Sequence, residues 1–287
     1  MAAIENAPNA VVFVTGCSKG GIGYGLCCEL AQHGCTVYAT ARSIEKMDGL
    51  QELGIKTLCL DVTDVQAIKE AVETVLSEEG RIDILINNAA MPCTSALLDQ
   101  DLNAARRIYE TNVWGPLAIV QAVAPGMIER RTGTIVNVGS IGGHCATPWS
   151  GVYSSSKSAM HAWTNAVRVE LRPYGVKVML VYPGSVQSNI ADNAQKGFKW
   201  KEGSLFTPFK ESVLRRMVMS QGRTSTDDFC RHVVPYMLRK SPPREIYFGT
   251  NSTTYWILSF LPAIVRDYVF GRQFGLLGSV DNVQPSN

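Results

Sequence analysis

The chain has 287 residues, with 27 basic against 25 acidic side chains and a formal charge of +2. That near-balance gives no strongly basic surface and so does not point to nucleic acid. A mean hydropathy of +0.02 argues against a multi-span membrane protein. The length suits one large α/β domain or two small ones, with ample material for a core. The eight cysteines (17, 27, 28, 35, 59, 93, 145 and 230) form no C-x-x-C pair and no zinc spacing. Several lie in apolar runs, as expected of reduced, mostly buried thiols in an intracellular, cytoplasmic protein. Met1 to Ala10 lacks a basic start and a long apolar stretch, so no signal peptide is expected. His33, His144, His161 and His232 are scattered, and no metal is assigned.

Val11 to Val14 is a short β-branched and aromatic run, followed at once by T-G-C-S-K-G-G-I-G, Thr15 to Gly23, and then a helical pattern through Leu26, Cys27, Leu30 and Ala31. A strand, a glycine-rich turn and a helix start make a phosphate cradle: Gly16, Gly21 and Gly23 let the backbone approach a pyrophosphate, and exposed N–H groups meet its charge. Cys35 to Thr40 reads as the next strand. Where an NAD enzyme would carry a carboxylate for the ribose hydroxyls, the chain has Thr40-Ala41-Arg42. Arg42, helped by Lys19 and Ser18, suits a 2′-phosphate, so the expected cofactor is NADP(H). Lys56 to Leu60 is a third strand ending at Asp61-Val62, where the carboxylate could accept from an adenine amino group or be a plain loop residue. Asp64 is the expected cap of a helix through Ile68, Ala71, Val72 and Val75.

Arg81 to Ala90 is a nearly continuous apolar strand with a polar end, as a parallel strand buried on both faces should be. Asn87 and Asn88 there are expected to fix neighbouring strand ends and line the cofactor groove. A helical stretch, Trp114 to Ile128, opens after Thr111-Asn112-Val113, and Gly115-Pro116 predicts irregular helix geometry beside Asn112. Gly133 to Ser140 and Lys177 to Gly184 are two further strands. Strands alternating with helices predict a Rossmann-type, doubly wound α/β fold with a mostly parallel seven-stranded sheet and function at the C-terminal strand ends.

Ser140 to Lys157 reads S-I-G-G-H-C-A-T-P-W-S-G-V-Y-S-S-S-K. Tyr153 and Lys157, four apart, share one helix face, with Ser154, Ser155 and Ser156 as cap candidates. A phenol beside an ammonium is an acid-base device: a positive charge from Lys157 would lower the Tyr153 pKa. Ser140 would hold a carbonyl or alcohol oxygen against the tyrosine. His144 could touch substrate or be a loop residue, and the side chains between Ser140 and Tyr153 are expected to face the substrate.

Together, T-G-x-x-x-G-G-I-G, N-N-A, T-N-V, a serine thirteen residues before Y-x-x-x-K, and P-G-S-V-Q-S (Pro183 to Ser188) resemble the short-chain dehydrogenase/reductase family over roughly Val11 to Ser188. The resemblance implies a catalytic tetrad: Tyr153 as general acid/base, Lys157 lowering its pKa and holding the nicotinamide ribose, Ser140 positioning the substrate oxygen, and Asn112 supporting a relay water. It also implies cofactor contacts from the backbone near Ile22, Asn88 and Val186, with Pro183, Gly184 and Ser188 in the loop at the nicotinamide end. The glycine loop is one residue longer than the commonest form, Ala90 replaces a usual glycine, and Ser188 a usual threonine. These departures touch cofactor contact, not a catalytic group. The glycine loop, V-Y-A-T-A-R, and the tail I-Y-F-G-T-N-S-T-T-Y-W-I-L-S-F-L-P are similar to fungal 1-acyldihydroxyacetone-phosphate reductases, NADPH enzymes of lipid synthesis at the endoplasmic reticulum and lipid droplets. The resemblance implies ketone and secondary alcohol interconversion on an apolar or lipid-like molecule. The alternatives are a ketoreductase of fungal secondary metabolism and a non-catalytic NADP(H)-binding regulator, and a homodimer or homotetramer is implied.

Beyond this core, which spans 11–188 of a single domain 1–287, the segment 189–225 is expected to cover the substrate. It is basic, with Lys196, Lys199, Lys201, Lys210, Arg215, Arg216 and Arg223, and carries Trp200, Phe206 and Phe209. Its charges could meet a substrate phosphate, but a solvated helix face is the favoured reading of Arg215 and Arg216. Within 226–287, Ser225 to Leu238 reads as a helix with Thr226 as cap candidate, and Arg244 to Phe248 as the last strand. Tyr255 to Phe270 is an apolar stretch, interrupted by Pro262 and too short to span a bilayer. It would pack, cover the pocket, or rest on a membrane or lipid-droplet surface.

Overall fold

A computed structural model describes residues 9–189, 195, 198–219 and 224–280. Strands and helices alternate from the start: β1 (Val11–Thr15), α1 (Ile22–Gln32), β2 (Thr36–Ala41), β3 (Lys56–Cys59), α2 (Val65–Glu79) and β4 (Ile84–Asn87). Next come α3 (Leu102–Tyr109), α4 (Gly115–Glu129), β5 (Thr134–Val138), α5 (Ile141–His144), α6 (Gly151–Leu171) and β6 (Lys177–Pro183). The last elements are α7 (Lys210–Val218), α8 (Thr226–Met237), β7 (Glu245–Phe248), α9 (Ser252–Ser259) and α10 (Ala263–Phe274). The seven strands form one sheet in the order β3-β2-β1-β4-β5-β6-β7, and every pairing is parallel. The sheet is therefore parallel throughout.

Alternation along β1 explains the layering. Val12 and Val14 join one core with Leu26, Leu30, Phe229 and Val233, while Val11 and Phe13 join a second with Val72, Ile119 and Leu171 on the other face. All five residues of β1 and all five of β5 are buried, as a strand covered on both sides by helices must be. The order reverses between β1 and β4, and the crevice at the carboxyl ends of the strands opens there. A third, smaller cluster joins Ala96, Cys145 and Trp149 to Val213, Phe270 and Phe274, which docks α7 and α10 onto the loop before α6.

Local expectations fared unevenly. Asp64 caps α2, accepting from the N–H groups of Gln66 and Ala67. The irregularity beside Gly115-Pro116 is a π turn, Glu110–Trp114, with Asn112 inside it. Ser154, Ser155 and Ser156 are not caps: α6 begins at Gly151, where the carbonyl of Ser150 accepts from Ser154 N at 2.8 Å. Thr226 is likewise the first helical residue, and the cap is Ser225, whose Oγ accepts from Asp228 N at 3.0 Å. The cysteines are all free, but only Cys17, Cys27, Cys145 and Cys230 are buried and Cys59 is exposed, so "mostly buried" holds for half of them.

Candidate active site

Ser140 leaves β5 and caps the short helix α5, its Oγ accepting from Gly142 N at 3.1 Å. Its own N–H donates to His161 Nε2 at 3.3 Å, which fixes the imidazole as the tautomer unprotonated at Nε2. One turn apart on α6, Tyr153 is half-buried and Lys157 fully buried. The Lys157 ammonium donates to the carbonyl of Val138 at 2.9 Å, and Tyr153 is hydrogen-bonded to the Ser140 hydroxyl. Ser140, Tyr153 and Lys157 line one cavity of about 170 Å³.

Burial pushes Lys157 down to about 7, so near neutrality it is a poor permanent cation. Burial pushes the Tyr153 phenol up, opposed by the hydrogen bond from Ser140 and by the positive charge of Arg216. Arg216 is thus a second basic group beside Tyr153, while the Lys157 amine donates to the Val138 carbonyl.

Asn112 stands behind the cavity rather than in its wall. Its Oδ1 accepts from Met91 N at 2.7 Å, and its Nδ2 donates to Met91 O and to Ser156 Oγ, both at 3.0 Å. The side chain thereby ties the loop after β4 to the catalytic helix.

Of the residues expected to hold a cofactor, Ile22, Asn88, Pro183, Gly184, Val186 and Ser188 line the same cavity as the catalytic groups. The cradle fits a dinucleotide. Gly16 and Gly20 have φ of +72° and +78°, and a Cβ on Gly16 would sit 2.7 Å from Ala89 Cα, so only glycine leaves this approach open. Gly21 caps α1 with no side chain over the helix start, and Gly23 packs against Asn88. Asn88 Nδ2 donates to the carbonyls of Thr15 and Gly16 at 2.9 and 3.1 Å, and Asn87 Nδ2 donates to Asn137 Oδ1 at 2.9 Å, joining β4 to its neighbours. Asn189 folds the loop after β6 onto the glycine loop, its Nδ2 donating to Lys19 O at 2.6 Å.

Gly16, Gly21, Gly23, Ser18, Lys19, Arg42, Asp61 and Val62 are not in the cavity wall but follow the neighbouring strand ends. Arg42 is exposed, and its guanidinium has no partner among the described residues. Lys19 is paired with Asp48 at 2.8 Å. Asp61 closes a turn, Oδ1 accepting from Thr63 N at 2.9 Å and Thr63 Oγ1 at 2.8 Å. Val62 is buried under α4, where its carbonyl faces Gly115.

Sequence reasoning gave His161 no role and left Arg216 and Tyr255 among open alternatives. Arg216 is not on a solvated face: it lines the cavity, with Nε donating to Thr147 Oγ1 at 3.1 Å and Nη2 to Ser150 Oγ at 3.4 Å. His161 holds Ser140 from behind, and Tyr255 closes the far wall. In the stretch between Ser140 and Tyr153, Thr147 and Ser150 face the cavity. Cys145 and Trp149 belong to the third core cluster, and His144 lies among the rings of Tyr182, Tyr247 and Phe260. Arg215 is exposed, Lys201 faces Asp99 at 3.7 Å and Lys210 lies over the Trp200 ring. Lys196 and Arg223 lie outside the described residues. The apolar tail breaks at Pro262 into α9 and α10; Phe270 and Phe274 are buried, while Ile257, Phe260, Ile264 and Tyr268 are exposed. No helix among the described residues is long and apolar enough to cross a membrane.

The family model described as short chain dehydrogenase matches residues 10–198. A short-chain dehydrogenase of Hypocrea virens is 35% identical over 279 residues, covering 96% of this chain and 95% of the relative. The NADPH-dependent 1-acyldihydroxyacetone phosphate reductase of Schizosaccharomyces pombe is 31% identical over 268 residues, covering 88% of this chain and 90% of that one. Among solved structures, a short-chain dehydrogenase from Streptomyces avermitilis superposes with a TM-score of 0.78 at 26% identity, covering 93% of this chain and 98% of that one.

Proposed function

The chain belongs to the short-chain dehydrogenase/reductase family of oxidoreductases, and from that premise we propose that it interconverts a ketone and a secondary alcohol with NADP(H), using Tyr153 as the general acid/base. The observation that carries this reading is a single cavity lined by Ser140, Tyr153 and Lys157 together with the cofactor-loop residues Ile22, Gly184 and Val186.

A bound nicotinamide cofactor supplies the hydride. In the reductive direction Ser140 and Tyr153 donate hydrogen bonds to the substrate oxygen, and these strengthen as negative charge develops on it. Burial holds the phenol above its ordinary pKa, so Tyr153 is protonated at neutral pH and ready to give its proton. Lys157, at the floor beside Val138, would hold ribose hydroxyls of the cofactor. Asn112 has spent its side chain on Met91 and Ser156, so any part it takes in a proton relay falls to its backbone in the π turn. For NADP(H), the supporting features are Arg42 without a partner among the described residues and the absence of a carboxylate at Thr40-Ala41-Arg42. The S. pombe relative is named as NADPH-dependent.

Tyr153→Phe tests the assignment. NADPH oxidation with a panel of ketones should fall about 100- to 10,000-fold, the usual contribution of a positioned acid, while NADPH affinity measured by fluorescence stays within a few-fold. Turnover close to wild type in this variant rules Tyr153 out.

A further inference from the structure

Arg216 and Lys157 are the two basic side chains in the cavity wall, and no Asp or Glu lines it among the described residues. A guanidinium carries five N–H donors and a permanent charge. Among the described residues its hydrogen-bond partners are two neutral hydroxyls, Thr147 Oγ1 at 3.1 Å and Ser150 Oγ at the long distance of 3.4 Å. Neither offsets the charge, and the half-buried guanidinium faces the cavity with no carboxylate beside it among the described residues, so its charge is left for a ligand to meet. A purely structural part, stapling α7 to the loop before α6, is already filled without it. Trp149 Nε1 donates to Ser212 Oγ at 3.1 Å, and the Trp149 ring packs on Phe206 and Phe209. Met219, Tyr255 and Ile141 line the same cavity, so apolar surface accompanies the cation.

We propose that Arg216 is the specificity-determining residue of the site and that the substrate is an anionic ketone, whose carboxylate or phosphate monoester it binds together with the hydroxyls of Thr147 and Ser150. The inference rests on the reductase reading above and names its substrate class. Arg216 lines the same cavity as Ser140 and Tyr153, which puts the anionic group and the reacting carbonyl on one substrate. The charge of Arg216 reaches Tyr153, so the two ends of the substrate are sensed by one connected set of groups.

The test uses the full chain loaded with NADP(H) and two matched pairs: a 3-oxo carboxylate with its methyl ester, and an acyl-dihydroxyacetone phosphate with its dephosphorylated form. Wild type should favour the anionic member of at least one pair by about 10- to 100-fold in kcat/KM, as a charge-assisted hydrogen-bonded pair allows. The pair that shows it tells carboxylate from phosphate. In Arg216→Gln the ratio should fall to near one, and in Arg216→Lys, which keeps the charge without the fork, it should be intermediate. Calorimetric binding of the same pairs to the NADP+ complex is independent of turnover. A preference in binding without any reduction upholds Arg216 and overturns the reductase reading. Equal or absent binding of both members of both pairs, or a preference that survives in Arg216→Gln, overturns this proposal.

Discussion

Arg42 and Arg216 are two arginines that look alike in a sequence, yet their surroundings separate them. Arg42 follows β2 directly, exposed and with its guanidinium unpartnered among the described residues, and its position after the second strand marks it as a candidate for the 2′-phosphate, since the end of that strand is where a glycine-loop βαβ unit meets the adenosine ribose. Arg42→Asp should raise the KM for NADPH about 10- to 100-fold more than that for NADH, since a bidentate cation is exchanged for a repelling charge. Steady-state kinetics with both cofactors checks it, and an unchanged ratio would remove Arg42 from the 2′-phosphate site. Lys19, expected to share that task, is drawn to Asp48 instead, an exposed pair that competes only weakly with a phosphate. Arg216 had no such marker. Seven basic residues are spread over 196–223, and only the packing of α7 decides which of them turns inward.

At the scale of elements, the site depends on how closely α5 lies on α6. A Cβ on Gly143 would meet Lys157 Cβ at 2.6 Å and His161 Cε1 at 2.7 Å, whereas on Gly142 the nearest atom, Ser140 Oγ, is at 3.4 Å. Gly143→Ala must therefore push α5 away from the helix that carries Tyr153 and Lys157. The expected cost is about 1–3 kcal/mol of folding stability by urea denaturation, with a clear loss of NADPH oxidation. Gly142→Ala should unfold nearly as wild type does. Equal stability of the two variants would mean that α5 is not clamped. The π turn at Glu110–Trp114 was partly legible, because Pro116 has no N–H to carry regular helix bonding back across Asn112, and regular helix restarts with Gly115-Pro116 as its first residues. The start of α6 was not. Three serines in a row looked like caps, but the turn forms earlier, where the loop is held by the backbone bond from Ser95 N to Trp149 O at 2.9 Å.

For the whole molecule, two buried bases set an opposing demand on folding. Burial, with the charges of Lys157 and His144 adding to it, pushes His161 from 6.5 down to about 3. The unfolded chain thus binds a proton there that the folded one refuses, and stability present above pH 6.5 is lost as pH falls toward 3. Lys157, pushed from 10.5 to about 7 by burial, loses its share in a separate, higher window, between those two values. Between about pH 6.5 and pH 5 the wild type should therefore lose roughly 2 kcal/mol more than His161→Gln, at about 1.4 kcal/mol for each pH unit. Urea unfolding at both pH values measures this, and equal losses would show that His161 is not held neutral.

The sequence by itself determined the architecture and the candidate catalytic groups. Buried parallel strands must be continuous apolar runs, a pyrophosphate cradle must be glycine at Gly16, and Tyr153 and Lys157 four apart must share a helix face, so each leaves a local mark. Only the tertiary structure decided what holds Ser140 from behind and which side chains beyond β6 line the cavity. Arg216 and Tyr255 reach the cavity from α7 and α9, and His161 on α6 reaches Ser140; contacts between segments so far apart are set by packing, which has no period or motif of its own.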